Sequence, residues 1–166
     1  KIVSILTIRT RTPATRTRRI TRADPFLVEL AQILATLVEL GQCSLSGVYL
    51  REGATEAAIG TLQTEAQREL GQPLPEEYVA LLRLTNGLQI NNVLFKKAEE
   101  LVPENLEVFR PGILILGREG NTAELVFDQR DRRFHIVNLG SPDERFSSFA
   151  SPAGLLAEVL REQQVL

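Results

Sequence analysis

Apolar residues recur at helical spacing in the first half of the chain and at strand spacing in the second. Phe26, Leu27, Leu30, Ile33, Leu34, Leu37 and Val38 form a broad stripe, which predicts a helix opening at Asp24-Pro25 and stopping at Gly41. Ser44 to Leu50 reads as a partly extended link. Ile59, Leu62, Ala66 and Leu70 predict a second helix from about Thr55 to Gly71. A third follows at once. Pro75 suits its first position, because proline has no N–H to lose there. Tyr78, Leu81, Leu82 and Thr85 share its buried face, and Asn86-Gly87 supplies left-handed geometry to end it.

Beyond Gly87 the period shortens. Leu88-Gln89-Ile90 and Val93-Leu94-Phe95 flank Asn91-Asn92, a tight-turn pair. Ala98 to Val102 predicts one helical turn, ended by Pro103. The unbroken apolar run Ile113 to Leu116, between Gly112 and Gly117, predicts a central strand. Ala123 to Asp128 and Arg133 to Leu139 flank Gln129-Arg130-Asp131-Arg132 and predict a hairpin. Ser151-Pro152 opens a last helix with Leu155, Leu156, Val159 and Leu160 inward. The expected fold is therefore α+β. It has an antiparallel-rich mixed sheet of about five to six strands, packed on one side by the N-terminal helices and a C-terminal helix.

Charge divides the chain. Residues 1–23 hold seven basic side chains and no acid, with Arg and Thr alternating around Pro13. Residues 24–166 hold 12 basic and 21 acidic ones, a balance of −9 within a net charge of −2. The start has the composition of a transit peptide, but a flexible basic arm or a processing remnant is the plainer expectation. An acidic body opposes nucleic-acid binding and favours cationic protein surfaces. The arm lacks the interleaved aromatics that stack on bases. No apolar run reaches membrane-spanning length, so no membrane partner is expected. The single cysteine, Cys43, rules out an intrachain disulfide and suggests a reducing, cytoplasmic setting.

Catalytic chemistry has little to build on. His135 is the only histidine; mid-strand, it is either a surface residue or a satisfied interior imidazole. Cys43, just past a helix end, reads as an inert thiol. One Cys and one His exclude the usual zinc sets, and Asp128, Asp131 and Asp143 do not match a calcium loop. No catalytic group, metal or cofactor is expected. Gly117-Arg118-Glu119-Gly120-Asn121 lacks the lysine and hydroxyl of a phosphate loop and reads as a β-turn. Glu76 and Glu77 suit the positive end of a helix dipole. Glu99, Glu100, Glu104 and Glu107 form a second acidic cluster and Asp143-Glu144 a third. Each is either a solvated face or a patch that steers a basic partner.

With these elements in place, residues 54–162 resemble the SUKH superfamily, the cell-wall-regulator-like immunity proteins of bacterial toxin systems. The matching pieces begin with Glu69-Leu70-Gly71, then Leu74-Pro75-Glu76-Glu77-Tyr78 and Leu81-Leu82 running to Asn86-Gly87. Ile113 to Gly117, Leu125-Val126-Phe127-Asp128 and Phe146-Ser147-Ser148-Phe149 follow in the same order. The turn after the central strand departs from the longer Asp/Gly-rich turn of many members and resembles the YrhA-like branch. The resemblance implies structural roles for Leu74, Pro75, Tyr78, Asn86, Gly87, Gly117 and Asp128. It also implies a non-enzymatic protein that neutralises a cognate toxin, often a nuclease or deaminase. A regulatory protein-binding scaffold of the same fold is the alternative, and a small hydrolase using His135 or Cys43 is the third reading.

Overall fold

A computed structural model describes residues 25–41, 47–141 and 143–163. The basic arm, the Asp24 cap and Cys43 lie outside them. Helix α1 (Pro25–Gly41) leads to strand β1 (Val48–Leu50), then α2 (Glu56–Glu69) and α3 (Glu76–Leu84). Strands β2 (Leu88–Ile90) and β3 (Val93–Phe95) precede α4 (Ala98–Glu107). Strands β4 (Ile113–Glu119), β5 (Ala123–Asp128), β6 (Arg133–Asn138) and β7 (Arg145–Phe149) run on to α5 (Pro152–Glu162). The fold is α+β.

The seven strands pair in sequence order and every described pair is antiparallel. The sheet is thus a meander and not mixed, and it exceeds the expected strand number. The surplus comes from its edges. β1 and β7 are short and half exposed, so neither shows the alternation that marks a strand in sequence.

One face of the sheet carries the core. Val93, Phe95, Leu114, Leu116, Leu125, Phe127, Phe134 and Ile136 pack with residues from all five helices, including Leu30, Ile59, Leu81, Leu101 and Leu156. Each fully buried Leu or Ile here contributes about 1.5–3 kcal/mol. Val38, expected on the inner stripe of α1, is 49% exposed. On the opposite face Ile115, Val126 and Val137 form a second small cluster with Ile113, and no helix residue joins it. β5 is buried along its whole length because it serves both clusters.

Several local signals resolve differently from their sequence reading. Pro75 is the N-cap (φ −61°, ψ 131°), one residue ahead of the first turn. Thr85 leaves α3 in extended geometry, and only Gly87 is left-handed, at φ +89°. Asn86 instead reaches forward: its Oδ1 accepts the Ala98 N–H at 2.8 Å and its Nδ2 donates to Glu99 at 3.0 Å. It thereby caps α4. Pro103 does not end α4 but lies inside it, on the exposed side. Leu101, Val102 and Asn105 hold that helix from its buried side.

Gly117 is not a turn glycine. β4 runs through it, and the register shifts between Ile115 and Gly117 as a β-bulge. A Cβ on Gly117 would meet the Leu94 carbonyl oxygen at 2.3 Å, so close strand approach dictates the glycine. A bulge leaves backbone groups without ladder partners, and buried ones must find others. Asn105 supplies them, accepting the Ile115 N–H at 2.7 Å and donating to the Ile115 carbonyl at 2.9 Å. The Tyr78 hydroxyl lies 3.1 Å from both the Leu116 and Lys96 carbonyls. Burial pushes that phenol far above its ordinary pKa, which keeps it a donor. Tyr78 and Gly117, distant in sequence, thus act on one feature.

Candidate functional site

The second face of the sheet gathers the chemistry. Alternation puts Glu124, Val126 and Asp128 of β5 on that side, with His135 and Val137 of β6. His135 stands opposite Ser148 of β7, and Val137 opposite Arg145. Asp128 is fully buried, and two guanidinium groups satisfy it. Arg130 grips it through Nε at 2.9 Å and Nη2 at 2.7 Å, and Arg145 Nη2 lies at 2.6 Å. The Arg130 bonds hold the Asp128 carboxyl below its usual pKa despite the burial that opposes this. Asp131 accepts from Arg145 Nη1 at 2.5 Å and faces His135 Nε2 at 3.1 Å. Burial works to raise Asp131, and the bonds from His135 and Arg145 outweigh it, so its pKa is also depressed. Glu124, likewise buried, pairs with Arg110.

His135 is the satisfied interior imidazole of the two alternatives, 1% exposed with both nitrogens occupied. Its Nδ1 lies 2.7 Å from Ser148 Oγ. Ser148, His135 and Asp131 are therefore strung in the order of an acyl-transfer triad. The acid of that chain is ion-paired with Arg145, whose Nη1 also stands 3.2 Å from His135 Nε2. Among the described residues Ser148 Oγ has no hydrogen-bond partner except the imidazole. Asp128, Asp131 and His135 bring ligand atoms within 4.8 Å of one another, a grouping that the sequence spacing did not announce. Arg130 and Arg145 already supply the balancing positive charge.

Two shallow cavities lie side by side on this face. One, about 320 Å³, has Ile113, Val126 and Val137 in its lining, with Phe109 and Pro111 at one side and Arg110, Arg130, Arg145 and Asp143 among its charges. The other, about 470 Å³, is lined by Lys96, Arg118, Ile115, Glu124, Val108 and Leu139 together with Glu100, Glu104 and Glu107. Phe109, Val108 and Leu139 are large apolar residues left 54%, 47% and 41% exposed on that face. Lys96 is buried there against Glu104, and burial followed by the nearby Arg118 charge lowers its pKa.

Glu100, Glu104, Glu107 and Asp143 line the cavities of this face, whereas Glu76 and Glu77 lie elsewhere, and most of the clustered acidic charge is spent locally. Glu99 takes the Asn86 amide. Glu100 accepts the Lys97 backbone N–H through Oε2 at 3.2 Å, and its Oε1 lies 2.6 Å from the Lys97 ammonium. Glu104 meets Lys96, and Glu144 accepts from Asn138 at 3.0 Å. Glu107 and Asp143 make no hydrogen bond to a described residue. The face is a mosaic of both signs and not an acidic patch. Of the family-motif positions, Leu74, Tyr78 and Gly117 serve the core, and Asn86 and Gly87 serve the junction of α3 with α4. Asp128 belongs to the second face, and the Gly117 backbone also lines its larger cavity. Asn105, Arg110, Arg130, Arg145 and Ser148 were not singled out from sequence: Arg130 folds back on Asp128 across the β5–β6 turn, and the others gain their roles through partners ten or more residues along the chain. Among the described residues no helix is long and apolar enough to cross a membrane. Compared with known proteins, the chain matches no family model and no curated sequence.

Proposed function

We propose that this is a non-enzymatic, immunity-type protein of SUKH kind that binds and neutralises a cognate toxin through the second face of its sheet. The observation that carries the reading is the exposure of Phe109, Val108 and Leu139 on a face whose apolar cluster no helix joins. Exposed large apolar residues beside a fixed charge mosaic are the usual make-up of a specific protein interface. The mosaic suits discrimination as well as attraction, because each ion pair presents a defined pattern of donors and acceptors. The acidic excess of residues 24–166 favours a basic partner.

Co-expression with the toxin encoded beside this chain tests the proposal. Rescue of growth and a stable complex are expected. Phe109→Asp, at an exposed site, should weaken the complex by about 2 kcal/mol or more while leaving the fold intact. Neither rescue nor complex would end the reading, and housekeeping proteins retrieved in its place would favour a regulatory scaffold. The order Ser148–His135–Asp131 favours a second reading, a small hydrolase. Labelling of Ser148 by a fluorophosphonate, abolished in His135→Ala, would establish it.

A further inference from the structure

We propose that the cavity of about 320 Å³ on the second face binds a small organic anion, a carboxylate or phosphate carried on a flat apolar body. The formal charges around it nearly cancel, and exposure decides which of them a ligand meets. Two of the carboxylates lie underneath, with the Asp128 and Glu124 side chains 1% and 8% exposed, while Asp131 is 34% exposed and tied to Arg145 and His135. The guanidinium groups lie above them, with Arg130 65%, Arg145 37% and Arg110 24% exposed. Both Asp128 oxygens are saturated by Arg130 and Arg145, and both Asp131 oxygens by Arg145, His135 and the Arg133 N–H. Each guanidinium carries five donors in a fixed fork, and these bonds leave several unused. A ligand arriving from solvent therefore meets donors, already oriented by the acids beneath them. Phe109 and Pro111 form an apolar wall, and Ile113, Val126 and Val137 an apolar floor. Oriented donors over an apolar floor select an anion with a flat hydrocarbon part over a bare one.

Asp143 is the one carboxylate in the lining with no hydrogen bond to a described residue, so it works against the ligand.

Titration with phenyl phosphate, inorganic phosphate and phenyltrimethylammonium, followed by calorimetry and by the Arg Nε–H signals in NMR, tests it. Phenyl phosphate is expected to bind most tightly and to move the signals of Arg110, Arg130 and Arg145. Arg130→Ala should weaken it by about five-fold, the loss of one exposed charge-assisted contact. Asp143→Asn should tighten it by about two-fold. Equal binding of the cation, or an Arg130→Ala protein that binds phenyl phosphate as well as the parent, would overturn the assignment. So would signal changes confined to other residues. The same chemistry is available from a free molecule or from an acidic side chain beside an aromatic one on a docked partner. Phenyl phosphate that dissociates the toxin complex identifies the second source, and a ternary complex identifies the first.

Discussion

Asn105 shows how one side chain sets local geometry. Its amide closes both backbone groups of Ile115 where the bulge opens the ladder, and it is 4% exposed. Asn105→Ala strands a buried donor and acceptor, each worth about 1–3 kcal/mol when unsatisfied. Urea denaturation should show a loss of about 2–4 kcal/mol, and a loss below about 0.5 kcal/mol would mean that water replaces the amide. None of this was legible in sequence. An asparagine two residues past a proline reads as a helix terminator, and its partner lies ten residues on. Tyr78 was legible as a core position, since its spacing from Leu81 and Leu82 is local. The destination of its hydroxyl was not, because the Leu116 carbonyl is 38 residues away. His135 divides the same way. Strand alternation limited it to a surface or an interior role, and only the fold could bring Ser148 and Asp131 to its two nitrogens.

At the level of elements, helix α4 and the edge strand β7 diverge most from their sequence signals. Proline in a helix interior costs about 3 kcal/mol through its missing N–H and its clash with the preceding turn. α4 nevertheless runs through Pro103, because Leu101, Val102 and Asn105 anchor its inner side. Pro103 itself is exposed, so Pro103→Ala should stabilise the protein by about 1 kcal/mol or more, read as a rise in melting temperature. A fall would show that the ring serves a packing role. β7 is held by its ladder to β6 and by Arg145, which ties it to Asp128 and Asp131. Both carboxyls have depressed folded pKa values relative to an ordinary 3.8. Their stabilisation is fully present above the unfolded value and is lost as pH falls through the lower folded values. Asp128→Asn should therefore be less stable than the parent at neutral pH, and the gap should close under acid below about pH 4. A gap that is constant with pH would show that the carboxylate charge contributes nothing. The hairpins β2–β3 and β5–β6 were legible in sequence, because each sets two apolar runs around a polar turn. The edge strands were not, since half-exposed short segments carry no period.

Taken whole, the molecule separates its tasks by face. Five helices and one face of a meander form the core, while the other face carries the ion pairs, the two cavities and the exposed apolar residues. Fold class and helical layer were legible because hydrophobic period is local and strong. The second face was not, because its charges come from the residue after β3, from α4, the loop after it, β5, the β5–β6 turn and β7, and only strand order assembles them. The acidic runs drew attention in sequence, but a run does not show that Lys96, Lys97 and Asn86 will engage it. The most direct measurement is a methyl and amide NMR footprint of the chain with its proposed toxin partner. Broadening and shifts are expected at Phe109, Ile113, Val126, Val137 and Leu139, with α2 and α3 silent. Perturbations confined to the helical side, with the second face unchanged, would contradict binding through that face.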